Sequence, residues 1–363
     1  MSFGARAELR LEALNHNFEL LRSRVPGSRV LAAVKANAYG HGIIPVAKAL
    51  PDADAFAVAR LVEAESLRNA GIETEIVLMG GVIDEAELQR AADLDCDLVV
   101  HTGHQVDLLA RQKDGRFRVW LKVDTGMHRL GVYPDEAGPM LERLADMPVV
   151  RRLGLMTHLA NADDLADDAS HRQFDRFAAL ADGFDGDVSV ANSAALLGWA
   201  TDVRIDGRWS VRGDTWIRPG VSLYGVSPLA GHSASSLGLQ PAMNFETSLI
   251  AVKPLPAGER VGYGGVWTAP RDTVLGIAAA GYGDGYSRVI PPDTPVLVNG
   301  RRAGLAGVVS MDLLAIDLGP GAKDAIGDAV RLWGEGIPVE EIAACAGTTS
   351  YALITGVRDR SRV

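Results

Sequence analysis

Short runs of apolar residues alternate with helix-like stretches over residues 1–226 of the chain. The runs contain little polar alternation, which is typical of strands buried on both faces of a parallel sheet. Helical spacing follows most of them, as in 61–70, 84–92 and 171–181, and an amphipathic helix over 8–25 precedes the first. Eight such runs separated by helices predict an α/β fold, a closed (β/α)8 barrel of the TIM type. The runs cover 30–35, 55–59, 76–80, 97–101, 117–124, 149–158, 188–192 and 216–220.

After residue 226 the pattern changes to short alternating apolar segments interrupted by glycine and proline. The segment Val298-Asn-Gly-Arg301 carries the signal of a hairpin turn. We therefore predict two domains, a barrel over 1–226 and a mostly β domain over 227–363. The predicted strands of the second domain lie at 247–252, 274–279, 294–300 and 329–333.

Polar residues follow several of the predicted barrel strands, and barrel enzymes carry their chemistry at the carboxyl ends of the strands. Lys35 ends the apolar run that begins at residue 30. Burial there lowers the pKa of the ammonium group and favours a neutral, nucleophilic amine, which is the chemistry of a Schiff-base lysine. The other interpretation is a lysine whose stem is buried and whose amine reaches solvent. Further polar residues at this rim are Lys122, His158, Ser193 and Arg218.

The loops after the last two predicted barrel strands have the composition of a phosphate site. They read Asn192-Ser193-Ala194 and Arg218-Pro219-Gly220-Val221. Barrels often hold a phosphate at this position with backbone N–H groups and a hydroxyl. A phosphate site beside a Schiff-base lysine predicts pyridoxal 5'-phosphate as the cofactor.

Composition excludes several other classes of function. The 363 residues carry a formal net charge of −10, and no basic run resembles a nucleic-acid or membrane-binding patch. Cys96 and Cys345 are too few for a disulfide framework or a zinc site, so we predict no metal centre. No apolar run is long enough for a membrane span, and the first residues do not resemble a signal peptide. We expect a soluble, cytoplasmic protein.

Eight motifs, in order along the chain, resemble those of alanine racemases, the two-domain fold-type III enzymes that use pyridoxal phosphate. The resemblance runs essentially from end to end. The motifs are Val34-Lys-Ala-Asn-Ala-Tyr-Gly-His-Gly42, Lys122-Val-Asp-Thr-Gly-Met-His-Arg-Leu-Gly131, Thr157-His-Leu-Ala160, Ala191-Asn-Ser-Ala-Ala195, Arg218-Pro-Gly-Val-Ser-Leu-Tyr-Gly225, Val261-Gly-Tyr-Gly264, Ala280-Gly-Tyr-Gly-Asp-Gly285 and Ser310-Met-Asp312.

The resemblance implies racemisation of L- and D-alanine by two bases in a homodimer with composite sites. Lys35 would bind the cofactor covalently and act as one base, and Tyr263 from the other subunit would be the opposite base. Arg218 would pair with the pyridine nitrogen of the cofactor, and His158 would link Arg218 to Tyr263 of the partner subunit.

The same resemblance assigns the remaining site residues. Tyr39, Ser193, Gly220 and Val221 would hold the phosphate, and Arg129 and Met311 would bind the substrate. Lys122 matches a lysine that is often carbamylated in the family. Tyr282, Arg288 and Asp312 match residues at the substrate entrance.

One departure and several alternatives stay open. Asp359 stands where some relatives have a tyrosine that contacts the phosphate, which leaves the biosynthetic or catabolic subtype undecided. A racemase for serine or for many amino acids is the main alternative. A fold-type III decarboxylase is disfavoured by Tyr263 and Arg218, and a non-catalytic pyridoxal-phosphate-binding protein is disfavoured by the second domain.

Overall fold

A closed barrel of eight parallel strands forms the amino-terminal part of the molecule, as predicted. The structure is a computed structural model that describes residues 4–113, 115–199, 211–358 and 361. The ring closes because the last barrel strand pairs with the first, with Arg29 opposite Trp216. The barrel strands are β2 (Arg29–Ala33), β3 (Ala55–Val58), β4 (Glu75–Leu78), β5 (Cys96–Val100), β6 (Phe117–Lys122), β7 (Val150–Met156), β8 (Asp187–Asn192) and β9 (Thr215–Arg218).

Large and small side chains share the interior of the barrel. The rings of Trp120 and Trp216 meet edge to face at 5.7 Å between centroids, and both are fully buried. Gly154 makes room for one of them, because a Cβ at this position would lie 2.6 Å from the ring of Trp120. The barrel is therefore a packed core with no open channel, and its chemistry is confined to the rim.

Helices surround the barrel and bury their apolar faces against the strands. Several begin at a side-chain cap, as at Asp84, whose carboxylate accepts a hydrogen bond from the backbone N–H of Glu87 at 2.8 Å. These helices are α1 (Leu11–Arg24), α2 (Ile43–Ala49), α3 (Leu61–Asn69), α4 (Glu85–Asp93), α5 (Gly103–Ala110), α6 (Pro134–Ala145), α7 (Ala169–Ala181) and α8 (Ser193–Gly198).

Charged residues close the amino-terminal end of the barrel. Arg118 contacts Asp97 at 3.1 Å and also bonds Glu75. Burial raises the pKa of the Asp97 carboxyl group to about 6, against the opposing effect of Arg118. This end is thus held by paired charges, while the opposite end carries the candidate chemistry.

The carboxyl-terminal domain is built on one antiparallel sheet of seven strands, which confirms the predicted mostly β domain. Asn299 and Gly300 both have positive φ, as the hairpin signal predicts, and Val298 pairs with Arg301 across the turn. The strands that follow the barrel are β10 (Met243–Leu255), β11 (Arg260–Val261), β12 (Trp267–Thr268), β13 (Thr273–Ala278), β14 (Pro295–Val298), β15 (Arg301–Leu305), β16 (Leu314–Gly319) and β17 (Ala329–Trp333), and two helices, α9 (Val339–Cys345) and α10 (Ser350–Thr355), complete the domain.

The amino-terminal strand joins the second domain. β1 (Arg6–Leu9) pairs antiparallel with β10, so the seven-stranded sheet includes a strand from before the barrel. Residues 6–9 were assigned to the barrel by the predicted range 1–226, and by strand pairing they belong to the other sheet. Within the described ranges, no helix is long and apolar enough to cross a membrane.

Candidate active site

Lys35 lies where β2 ends, at the start of a left-handed turn. The four residues after it, 36–39, all have φ between 51° and 54° although none is glycine. This conformation costs an L-residue about 1–2 kcal/mol. Side chains support the turn, because Asn37 accepts the backbone N–H of Ile43 at 2.8 Å and His41 bonds the carbonyl of Tyr39 at 3.0 Å. These bonds hold the strained backbone next to Lys35 in one conformation.

Two lysines share a cationic environment at the rim. The pKa of Lys35 is lowered by burial and by the nearby Arg129; Glu63 opposes them, and Arg218 adds a smaller lowering effect. Burial and the same two arginines lower the pKa of Lys122 to about 8. Both changes favour the neutral amine, which is the form that attacks carbonyl carbon or carbon dioxide.

Arg218 is fixed by three hydrogen bonds at the end of β9. Its guanidinium donates to the carbonyl of Thr157 at 2.5 Å, to the carbonyl of Val190 at 3.1 Å and to the hydroxyl of Ser189. Burial lowers the pKa of Arg218 to about 10, so the side chain is still protonated at neutral pH. It is a rigid, positively charged donor at the mouth of the barrel.

His158, at the end of β7, faces these cations. Burial lowers its pKa well below the usual value, and the charges of Arg218 and Lys122 act in the same direction. The imidazole is therefore neutral at pH 7 and offers one donor and one acceptor nitrogen.

Ser193 and Gly220 form a site suited to an anion. The Ser193 hydroxyl accepts the backbone N–H of Gly220 at 2.8 Å, so two adjacent loops converge on one oxygen. A Cβ on Gly220 would lie 2.7 Å from the hydroxyl oxygen of Tyr39, which places that phenol beside the glycine backbone. Val221 follows as the first residue of a short 3-10 helix. Hydroxyls and backbone N–H groups thus converge where the sequence predicts a phosphate.

Arg129 is carried by the loop after β6. Asp124 organises that loop, because one carboxylate oxygen accepts the backbone N–H groups of Gly126, Met127 and His128, each at 3.0 Å. These bonds lower the pKa of Asp124, although burial acts against them. The arginine itself is exposed and lines the cavity.

One cavity of about 520 Å³ joins these groups. Its lining includes Lys35, Tyr39, Arg129, His158, Ser193, Arg218, Gly220 and Val221. Tyr351 and Thr355, which the sequence analysis did not identify, reach the same cavity from α10. The Tyr351 ring lies 6.2 Å from the Tyr39 ring. Nothing in the local sequence marks this contact, since the two rings come from opposite ends of the chain. Asp359 lies outside the described residues.

The five candidate residues of the second domain lie apart from this cavity. Among the described residues, none of Tyr263, Tyr282, Arg288, Met311 and Asp312 lines it. Tyr263 is 67% exposed and Met311 is 55% exposed. The guanidinium of Arg288 lies 5.7 Å from the centre of the Tyr263 ring. One chain therefore presents two separate parts, a cavity between the barrel rim and α10, and the exposed ring of Tyr263 elsewhere on the β domain.

Fold and site together define a class. A lysine with a lowered pKa, a buried arginine and an anion-binding corner meet at the rim of a (β/α)8 barrel that carries a β domain. This is a two-domain barrel enzyme that acts on a small molecule at the carboxyl ends of its strands. Residues 9–228 match the alanine racemase N-terminal domain, and residues 242–363 match the alanine racemase C-terminal domain. The chain belongs to the alanine racemase family and is an amino-acid racemase, an isomerase.

Individual relatives agree over the full length. A curated alanine racemase from Photobacterium profundum is 45% identical over 98% of this chain and 98% of its own length. One from Aeromonas hydrophila is 47% identical over 98% of this chain and 97% of its own. The crystal structure of the biosynthetic alanine racemase from Pseudomonas aeruginosa is similar with a TM-score of 0.93 and 42% identity, covering 100% of this chain and 99% of that chain. An alanine racemase from Bartonella henselae with covalently bound pyridoxal phosphate is similar with a TM-score of 0.87 and 27% identity, covering 99% of both chains.

Proposed function

We propose that the protein interconverts L- and D-alanine with pyridoxal phosphate, using Lys35 and Tyr263 of the partner subunit as opposite bases. The observation that carries the proposal is the division of the site between two surfaces. Lys35 has a lowered pKa at the cavity, and Tyr263 of the same chain is exposed on the other domain. Racemisation removes a proton from one face of the α-carbon and returns it to the other, which calls for two bases on opposite sides. Because the reaction is reversible, the same two bases serve supply and breakdown of D-alanine.

The residues at the cavity fit the cofactor. Lys35 supplies the amine, and the corner formed by Ser193, Gly220 and the Tyr39 hydroxyl supplies donors for a phosphate. Arg218, buried at the same cavity and protonated at neutral pH, is the proposed donor to the ring nitrogen. When bound, the cofactor supplies an electron sink for the charge left on the α-carbon. Because Arg218 stays protonated at neutral pH, it would donate to the ring nitrogen without giving up its proton, which would limit that electron sink and restrain side reactions.

Substrate binding falls to Arg129 and to the partner subunit's Met311. The exposed guanidinium of Arg129 faces the cavity and suits the carboxylate of an amino acid. Lys122 is buried, and its pKa of about 8 raises the share of the neutral amine, the form that carbamylation requires. A carbamate at Lys122 would replace a repulsive cation near Arg129 by an attractive anion. Serine is the competing substrate, since pockets reject one added hydroxyl by only about 100-fold.

A second copy of this chain is the proposed partner. The face that carries Tyr263 also exposes Val266, Val289, Met311 and Leu313, each of them at least 39% accessible. Large exposed apolar side chains from one domain are typical of an interface. Docking that face on the cavity of the second copy brings Tyr263 opposite Lys35, with Tyr282, Arg288 and Asp312 at the entrance between the chains. By the same symmetry each dimer contains two composite sites.

Mixing two inactive variants tests this proposal. Lys35→Ala and Tyr263→Phe each damage both sites of their own homodimer. A mixed dimer carries one site in which both changes meet and one site with Lys35 and Tyr263 intact. Random exchange of subunits makes half the dimers mixed, so about one quarter of the wild-type activity should return. Activity that stays at the level of the separate variants, while subunit exchange is verified by mass spectrometry, contradicts the composite site.

Tyr263→Phe alone should slow proton removal from one enantiomer more than from the other.

A further inference from the structure

Glu63 joins the ends of two barrel strands through a single carboxylate. One oxygen accepts the backbone N–H of Ala36 at 2.7 Å. The other accepts the backbone N–H groups of Ala59 at 2.7 Å and Arg60 at 3.1 Å. Ala36 is the residue directly after Lys35, and Ala59 directly follows β3. The carboxylate therefore bridges the left-handed turn and the adjacent strand end.

The bond to Ala36 falls at the first residue of the strained turn. Residues 36–39 hold a conformation that is unfavourable for residues other than glycine and that hydrogen bonds must keep in place, among them the backbone bond from Gly40 N–H to the carbonyl of Ala36 at 3.1 Å. Asn37 and His41 make hydrogen bonds that hold the later part of the turn. The amide next to Lys35 donates instead to the side chain of Glu63. Losing that bond frees the turn where it leaves the strand.

We propose that Glu63 is a positioning residue for Lys35, acting through the backbone of the turn in addition to capping α3. The inference rests on the proposed function, because it concerns the amine that binds the cofactor. Glu63 does not line the cavity among the described residues, so its effect reaches the cofactor through Ala36. Its negative charge also offsets part of the influence of Arg129 and Arg218 on the Lys35 amine.

The chain provides a matched control in the next helix. Glu87 occupies the equivalent place in α4, where its carboxylate accepts the backbone N–H of Ile83 at 3.0 Å. This glutamate also caps a helix that follows a barrel strand, and it makes no hydrogen bond to the turn after Lys35. Substitution at residue 87 thus removes a helix cap alone, while substitution at residue 63 removes a cap and the support of the turn.

The experiment compares holoenzymes of wild type, Glu63→Gln and Glu87→Gln. Glutamine keeps one acceptor oxygen and loses the charge, so it can accept the N–H of Ala36 or the N–H of Ala59 at the end of β3, but not both. For Glu63→Gln we expect pyridoxal phosphate to dissociate about 10- to 100-fold faster, because bonds to a charged group are the strong ones. The visible absorbance of the bound cofactor should shift as well. For Glu87→Gln both readouts should stay within about twofold of wild type, because this substitution weakens a helix cap alone.

Backbone hydrogen exchange gives a readout that does not depend on the cofactor. In the cofactor-free protein, Glu63→Gln should lose protection at residues 36–40 and keep it in β5 and β6. Equal cofactor release and equal exchange in the two variants overturn the inference. A wild-type protein that binds no pyridoxal phosphate overturns the proposed function instead, and the exchange result then still decides whether Glu63 holds the turn.

Discussion

Replacing Lys122 by methionine should make the folded protein more stable at neutral pH. Lys122 is only 6% exposed, so burial disfavours its charge most; Arg218, Arg129 and Lys35 also repel it, against a smaller favourable effect of Asp124. Methionine has nearly the same length and no charge, so the substitution removes the repulsion and keeps most of the packing. The gain in stability is expected because the substitution removes a buried charge that destabilises the folded state.

The lowered pKa sets the size of the gain. The pKa of Lys122 falls from 10.5 to about 8 in the folded protein. At 1.36 kcal/mol per pKa unit, a charged Lys122 lowers the free energy of unfolding by about 3 kcal/mol. The unfolded chain binds the extra proton between pH 8 and 10.5, so wild-type stability rises with pH across that window. The penalty is fully present below pH 8 and absent above 10.5. Lys122→Met should therefore be more stable by up to about 3 kcal/mol at pH 7, and the difference should disappear by pH 10.5.

Urea unfolding in buffer freed of carbon dioxide measures this difference. Lys48→Met, on an exposed position of α2, is the control and should show no comparable gain. Adding bicarbonate should then stabilise wild type and leave Lys122→Met unchanged, because only the lysine can become a carbamate. A methionine variant that is less stable than wild type at pH 7 without carbon dioxide, or a difference that does not shrink as pH rises, refutes the reasoning.

Three further substitutions test other parts of the account. Ser193→Ala removes the hydroxyl that accepts the N–H of Gly220. In a fluorescence titration, this variant should bind pyridoxal phosphate about 10- to 100-fold more weakly than wild type. Unchanged binding would show that Ser193 is not part of the anion site. Gly220→Ala places a Cβ 2.7 Å from the Tyr39 hydroxyl, so cofactor binding should fall at least as far, and wild-type affinity would show that this corner does not hold the phosphate. Asp97→Asn addresses the opposite end of the barrel. Burial raises the Asp97 pKa from 3.8 to about 6, so the folded state holds the extra proton between these values and wild-type stability falls as pH rises through them. Relative to the asparagine variant, the free energy of unfolding of wild type, measured by urea titration, should fall by about 3 kcal/mol from pH 3.8 to 6. Equal pH dependence of the two proteins would contradict the raised pKa of Asp97, which is expected despite its pairing with Arg118.

The barrel and its rim could be predicted because both follow from local pattern. Each strand is an apolar run, and a polar residue that ends such a run falls on the rim once the barrel closes. Lys35, Lys122, His158, Ser193 and Arg218 are all found there. In the loops after β8 and β9, the serine and the glycine in the sequence were enough to predict an anion site.

Other features depend on contacts that no local pattern encodes. The left-handed turn at residues 36–39 contains no glycine that would indicate positive φ, and it is held by its own Asn37 and by Glu63 from another part of the chain. Pairing of β1 with β10 and the approach of Tyr351 to Tyr39 join segments that lie far apart in the sequence. Tyr263 stands between glycines as Tyr282 does, so only the family resemblance separates the proposed base from the proposed entrance residue.

Incubation of the holoenzyme with L-alanine in heavy water tests the central claim most directly. Chiral chromatography and NMR follow the configuration and the deuterium content of the α-carbon. We predict D-alanine that carries deuterium at the α-carbon, because the base on the second face returns a proton that has exchanged with solvent. Deuterium that enters L-alanine without any D-alanine would leave Lys35 active and remove Tyr263 as the second base. Absence of both products would contradict the proposed reaction.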